Sequence, residues 1–181
     1  AAAPSAAAPA EGPHWCRRAS RRRVAMDLRL LEQAASMGHS EAAYALGAAY
    51  LLGDGVPQDQ ARAAALFGAA AERGDPRAQC NLGAMHAQGM GVPQDLLEAR
   101  RWYERSADQG NPDGQYNLAL VFAQGLGGCH KDAARARELC EQAAAQGQRQ
   151  AEALLRSLQA HGAEAAATDG RGAPGDGDNR K

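Results

Sequence analysis

The chain of 181 residues holds four cysteines, Cys16, Cys80, Cys129 and Cys140, five histidines and only two lysines, Lys131 and Lys181. Any metal, thiol or nucleophile chemistry has to be assembled from these. Zinc needs Cys or His in closely spaced pairs so that four ligands can converge. There is no Cys-x-x-Cys, and Cys129-His130 has no second Cys or His at ligand spacing. Cys80 and His86 lie six apart, which is about 600° around a helix, so they share no face. His86 is expected to be structural and Cys140 a small buried hydrophobe. Neither lysine follows a serine by three residues, and no His-Glu-x-x-His, phosphate loop or nucleophile elbow occurs. The expectation is no catalytic residue, no metal and no cofactor.

Arginine is the other concentrated chemistry. Arg17, Arg18, Arg21, Arg22 and Arg23 follow an Ala/Pro-rich stretch. The plain reading is a solvated arm. The composition also resembles the end of an organellar transit peptide. Arg17-Arg18-Ala19-Ser20 fits a basophilic kinase site, so Ser20 is a candidate phosphosite, where a phosphate would add about two negative charges among five arginines. RNA binding through the arm is an alternative that would show strong salt dependence. The whole chain has a net charge of −1, which gives it no general attraction to nucleic acid. No run of 18 apolar residues exists, so no membrane span is expected. Unpatterned cysteines fit a reducing compartment, hence the cytoplasm, with an organelle as the alternative. Residue 1 is alanine, so a fragment or a processed chain is expected.

These scattered groups are embedded in a strict repeat. Leu46-Gly47, Leu82-Gly83 and Leu118-Ala119 recur at a step of 36, as do Gly53, Gly89 and Gly125. Val56-Pro57-Gln58-Asp59 returns as Val92-Pro93-Gln94-Asp95. Fixed self-similarity at such a period means a solenoid, in which each unit buries its apolar face only against its neighbours. Gly74-Asp75-Pro76 and Gly110-Asn111-Pro112 read as a helix-ending glycine, a cap and a first-turn proline. Asp59, Asp95 and Asp132 are placed to cap the following helices, and Asp95 with Glu98 makes a capping-box pattern. Helices are predicted near 26–37, 40–52, 60–73, 76–88, 96–109, 112–124, 133–146 and 149–160.

Glycine within a helix costs about 1 kcal/mol relative to alanine, so Gly47 and Gly83 imply close approach of a paired helix. Leu66-Phe67, Trp102-Tyr103 and Leu139-Cys140 should plug between layers. Aromatics make up 4% of the chain, so the core is alanine and leucine with a few large anchors. The predicted fold is all-α: a right-handed α-solenoid of three full helix pairs plus a half repeat at each end. It occupies 25–160, between a disordered arm, 1–24, and a disordered tail, 161–181.

With these residues in hand, the chain resembles the Sel-one-like repeat family, a relative of tetratricopeptide repeats. The first unit carries Ala42, Leu46, Gly47, Tyr50, Gly53, Gly55, Val56, Asp59, Ala63, Ala70, Ala71 and Gly74 in the family pattern. The second matches it with His86 in place of tyrosine, and the third departs at Gly114, Ala119 and Phe122 and by one extra turn residue. The resemblance implies an α-superhelix with a scaffold or adaptor role, and it carries over no catalytic residue. Cysteine-rich members have been associated with β-lactam hydrolysis. They have a regular cysteine pair per repeat, which is absent here.

In related repeats the first helix of each pair lines the concave face. Mapped onto this chain, that implies a groove of Glu41, Tyr44, Ala48, Leu51, Leu52, Arg77, Cys80, Ala84, Ala87, Gln88, Asp113, Tyr116, Leu120, Ala123 and Gln124. Arg77 and Asp113 would be its polar registers. The competing reading is that Tyr44, Cys80 and Tyr116 only pack between helices. The expected ligand is a peptide or protein segment, bound by a monomer.

Overall fold

A computed structural model describes the chain from residue 28 to residue 169, with side chains to residue 160. The arm, its arginines, Ser20 and Cys16 lie outside the described residues. Eight helices follow one another: α1 Leu28–Ser36, α2 Ser40–Leu52, α3 Gln60–Glu72, α4 Pro76–Gln88, α5 Leu96–Asp108, α6 Pro112–Gln124, α7 Ala133–Ala145 and α8 Arg149–Asp169. No strand occurs among the described residues. Each of α2/α3, α4/α5 and α6/α7 is a packed pair, each pair packs on the next, and α1 and α8 are the half repeats.

Local chemistry sets these boundaries. The Asp59 carboxylate accepts from Arg62 N–H, Asp95 from the N–H groups of Leu97 and Glu98, and Asp132 from Arg135 N–H. Asp75 and Asn111 cap α4 and α6 in the same way, each followed by proline. The helices α2, α4 and α6 end on Gly53, Gly89 and Gly125, at φ near +70°. The Val-Pro-Gln-Asp turns are also explained. The Gln58 and Gln94 side chains donate back to Leu51 O and Ala87 O at 2.8 Å, satisfying carbonyls the helix ends leave open.

Three expectations need correction. The capping box at Asp95 is only half made. The Glu98 carboxylate pairs with Arg101 at 3.1 Å, because Asp95 N–H already donates to His86 O. α1, described from Leu28, ends at Ser36, one residue short of the expected 37. α8 does not stop at 160 but runs to Asp169. Its last turns pass through Ala163-Glu164-Ala165-Ala166-Ala167, a run with strong intrinsic helix preference.

The core is a continuous stack. Every residue from Ala78 to Met85 is buried, and Phe67, Ala70, Ala136, Cys140 and Ala143 have no exposed surface. Gly47 and Gly83 are where paired helices touch. A Cβ at Gly83 would lie 2.8 Å from the Tyr103 ring, and one at Gly47 would lie 3.0 Å from Phe67. The helix cost of glycine is thus offset by a contact that no larger residue could make.

Candidate partner-binding face

The sequence-predicted groove lies on α2, α4 and α6, the first helices of the three pairs. Cross-repeat contacts stitch these helices together. The Arg77 guanidinium lies 4.5 Å from the centroid of the Tyr44 ring, joining α4 to α2. Asn117 Nδ2 donates to Cys80 Sγ at 3.3 Å, joining α6 to α4. Gln148 Nε2, just before α8, donates to the Asp113 carboxylate.

The predicted groove residues divide by depth. Tyr44, Ala48, Leu51, Cys80 and Ala84 are buried, so they form the packed floor and offer no surface of their own. Tyr44 lies against the Phe67 ring at 5.6 Å, which is packing between paired helices. Leu52, Arg77, Ala87, Asp113, Tyr116, Leu120 and Ala123 are half-buried. Glu41, Gln88 and Gln124 are exposed and form a rim. The presented apolar surface is therefore narrower than the sequence implies, and it is concentrated on α6.

The polar registers are already engaged. Arg77 makes two bonds to Asp75, with Nη2 to Oδ2 at 2.9 Å and Nε to Oδ1 at 3.3 Å. Hydrogen bonding to Asp75 outweighs desolvation and raises the Arg77 pKa further, so its charge is permanent. Burial pushes the Cys80 thiol up to about 12 and the Cys140 thiol up to about 11. Such thiols are neutral and inert at physiological pH. Burial also raises the Tyr116 phenol, with the electrostatic influence of Cys140 as the second cause. Cys129 is half-buried, its Sγ donating to Leu126 O at 2.9 Å. Among the described residues no group of three or more His, Cys, Asp or Glu side chains could hold a metal ion.

Sequence reasoning missed a set of amide clasps. Gln109 Nε2 donates to Gln79 Oε1 at 2.7 Å, and Gln146 Nε2 to Gln115 Oε1 at 2.9 Å. The signal was present. Gln79 and Gln115 recur at the step of 36, and Gln109 and Gln146 at 37, the step that includes the extra turn residue. It also missed the pair behind the Gly114 departure. Ser106 Oγ donates to Pro76 O at 2.6 Å, and a Cβ at Gly114 would lie 2.7 Å from Ser106 Cβ.

Comparison with known proteins agrees with this architecture. The family model described as Sel1 repeat matches residues 28–39, 40–75, 76–111 and 112–148. A Sel1 repeat protein from Oxalobacter formigenes is 41% identical over 72% of this chain and 98% of its own, with a TM-score of 0.65. A protective antigen present in uropathogenic Escherichia coli strains, displaying an SLR fold, is 34% identical with a TM-score of 0.72. That alignment covers 81% of this chain but 32% of the antigen, so the chain spans about a third of that relative. The cysteine rich protein B of Helicobacter pylori shares the fold at 18% identity, covering 80% of this chain and 98% of its own, with a TM-score of 0.55. A search of curated proteins gives no match. No helix among the described residues is long and apolar enough to cross a membrane.

Proposed function

Because the chain belongs to the Sel1 repeat family, whose members are generally protein–protein interaction scaffolds, we propose that it is a non-catalytic adaptor holding a peptide or protein segment against α2, α4 and α6. One observation carries this reading. Tyr116 and Leu120, one helical turn apart on α6, keep part of their apolar surface uncovered, while Asp113 on the same helix and Arg77 on α4 are already held by Gln148 and Asp75. A bound segment would cover apolar side chains at the centre without having to strip the charges of their partners. Exposed Glu41, Gln88 and Gln124 supply the polar rim that interfaces place around such a centre. Few anchors are offered, so affinity is set by how well the segment is pre-organised and micromolar binding is expected. The adaptor acts as a monomer, and nucleic acid is not its ligand.

The test is affinity capture from a native lysate by the intact chain and by a Tyr116→Glu, Leu120→Glu variant. A milder Leu120→Ser, Gln124→Arg variant is run beside them, since Tyr116 is half-buried against the core. Circular dichroism confirms that all are folded. Proteins held by the intact chain and lost by both variants support the reading. Undiminished capture by the folded variants overturns it.

A further inference from the structure

Two asparagines on the candidate face carry hydrogen-bonding capacity that the chain itself leaves unused. Asn81 on α4 and Asn117 on α6 recur at the step of 36. Asn81 lies one helical turn after Arg77 and one before Ala84, and Asn117 stands in the same way between Asp113 and Leu120. Residues three and four apart share a helix face, so both asparagines belong with the groove residues. Asn81 is 4% exposed, yet its amide makes no hydrogen bond with any described residue. The fully enclosed polar atoms that lack a partner are His86 Nδ1 and Arg100 Nε, so the small opening on Asn81 is at its amide. Asn117 is half-buried. Its Nδ2 donates to Cys80 Sγ, a weak acceptor, and its Oδ1 accepts from no described residue. The other buried amides of these helices, Gln79 and Gln115, are both clasped. An amide cut off from most of its water and left unpaired is costly, and a ligand that bonds it removes that cost.

The surroundings define the ligand. Ala48 and Ala84 are buried and Ala45 is half-buried, so the floor beside Asn81 is made of methyl groups that a main chain can approach closely. Arg77 and Asp113 are engaged by Asp75 and Gln148, so the face does not select a charged side chain. An asparagine amide offers both donors and an acceptor, which suits the C=O and N–H of one backbone residue. A helical ligand has already paired those groups internally, whereas the polyproline II conformation leaves all of them free. Spacing points the same way. Packed helices lie about 8–10 Å apart. A polyproline II chain returns to the same face every three residues, or about 9 Å. A β-strand returns every two, or about 7 Å.

We infer that Asn81 and Asn117 hold the main chain of a partner segment in the polyproline II conformation, anchoring one residue in every three. The anchored residue nearest α6 lays its side chain against Tyr116 and Leu120. This inference rests on the concave-face reading above and adds the conformation of the ligand and the residues that read it.

The experiment uses the full chain and a fluorescein-labelled peptide of four Leu-Pro-Pro repeats, read by fluorescence anisotropy. Proline holds each preceding leucine in the extended region, and each leucine keeps its N–H. The intact chain should bind this peptide saturably. Asn81→Leu with Asn117→Ala should weaken binding about tenfold or more, since each lost bond is worth a factor of roughly two to ten. Replacing each leucine of the peptide by its α-hydroxy acid, which turns the N–H into an ester oxygen, should weaken binding by a similar factor. Asn81→Leu alone should hold or raise Tm, because an unpaired buried amide gives way to an apolar side chain. A lowered Tm would show that the amide is bonded within the chain and overturns the inference. Tighter binding of a stapled helical peptide of alanine and leucine overturns it as well. Binding that is lost in the Tyr116→Glu, Leu120→Glu variant but indifferent to both asparagines and to the ester peptide overturns the inference and leaves the concave-face reading standing. Absent binding of the Leu-Pro-Pro peptide, while lysate proteins are still lost with Tyr116 and Leu120, does the same. Binding indifferent to every one of these changes overturns both.

Discussion

Ser106 and Gly114 are a matched pair, and neither makes sense alone. Other repeats place Ala70 or Ala143 at the first position and Ala78 or Ala151 at the second. Here the hydroxyl reaches across to Pro76 O, and the following first helix gives up its Cβ to make room. Restoring the methyl alone forces a shift in a packed site. Gly114→Ala should therefore cost about 1–3 kcal/mol, despite alanine being the better helix former. Ser106→Ala with Gly114→Ala should return stability to within about 1 kcal/mol of the parent, because the lost hydrogen bond and the gained helix preference nearly cancel. Chemical denaturation of the four proteins in a double-mutant cycle checks this. Additive effects would show that the two sites are independent. The sequence shows Gly114 as a departure from the repeat. It does not show the reason, since a contact between residues eight apart on successive helices leaves no periodic trace. The groove residues divide for a similar reason. Tyr44 and Tyr116 hold the same register, but Tyr44 has Phe67 and Arg77 over it and is buried, whereas Tyr116 is half-buried and the smaller Cys140 stands at the register of Phe67.

At the scale of elements almost everything was legible, because helix ends are set by short-range rules. Seven of the eight described helices start at the residue expected, and the αL glycines fall where the turns require them. The exception is instructive. A capping box needs the Ncap N–H to be free to receive the returning carboxylate. At α5 that N–H is taken by His86 O, a bond between the two helices of one repeat that the four-residue pattern cannot report. Asp95 should therefore carry the cap alone. Asp95→Ala is expected to cost about 1 kcal/mol. Glu98→Ala removes only an exposed pair with Arg101, worth no more than about 0.5 kcal/mol. Thermal unfolding at neutral pH and moderate salt ranks the two. A Glu98 effect equal to that of Asp95 would mean that the carboxylate does close the box in solution.

Over the whole molecule, a solenoid has no single core, and its stability is a sum over neighbours. The middle unit has neighbours on both sides. α4 packs on α3, α5 and α6, with eight consecutive residues buried. α1 packs on α2 and buries no residue, while beyond Leu158 α8 has no half-buried or buried residue up to Ala160. Local opening should therefore be graded, with α4 and α5 opening last and α1 and the end of α8 first. Amide hydrogen exchange followed by mass spectrometry should find α4 protected by several kcal/mol more than α1, since opening free energies run from about zero at frayed ends to the global value in the core. Uniform protection from α1 to α8 would mean that the stack unfolds as one unit. Protection that a partner adds at α6, above this graded background, would support the proposed face, and protection added elsewhere would count against it.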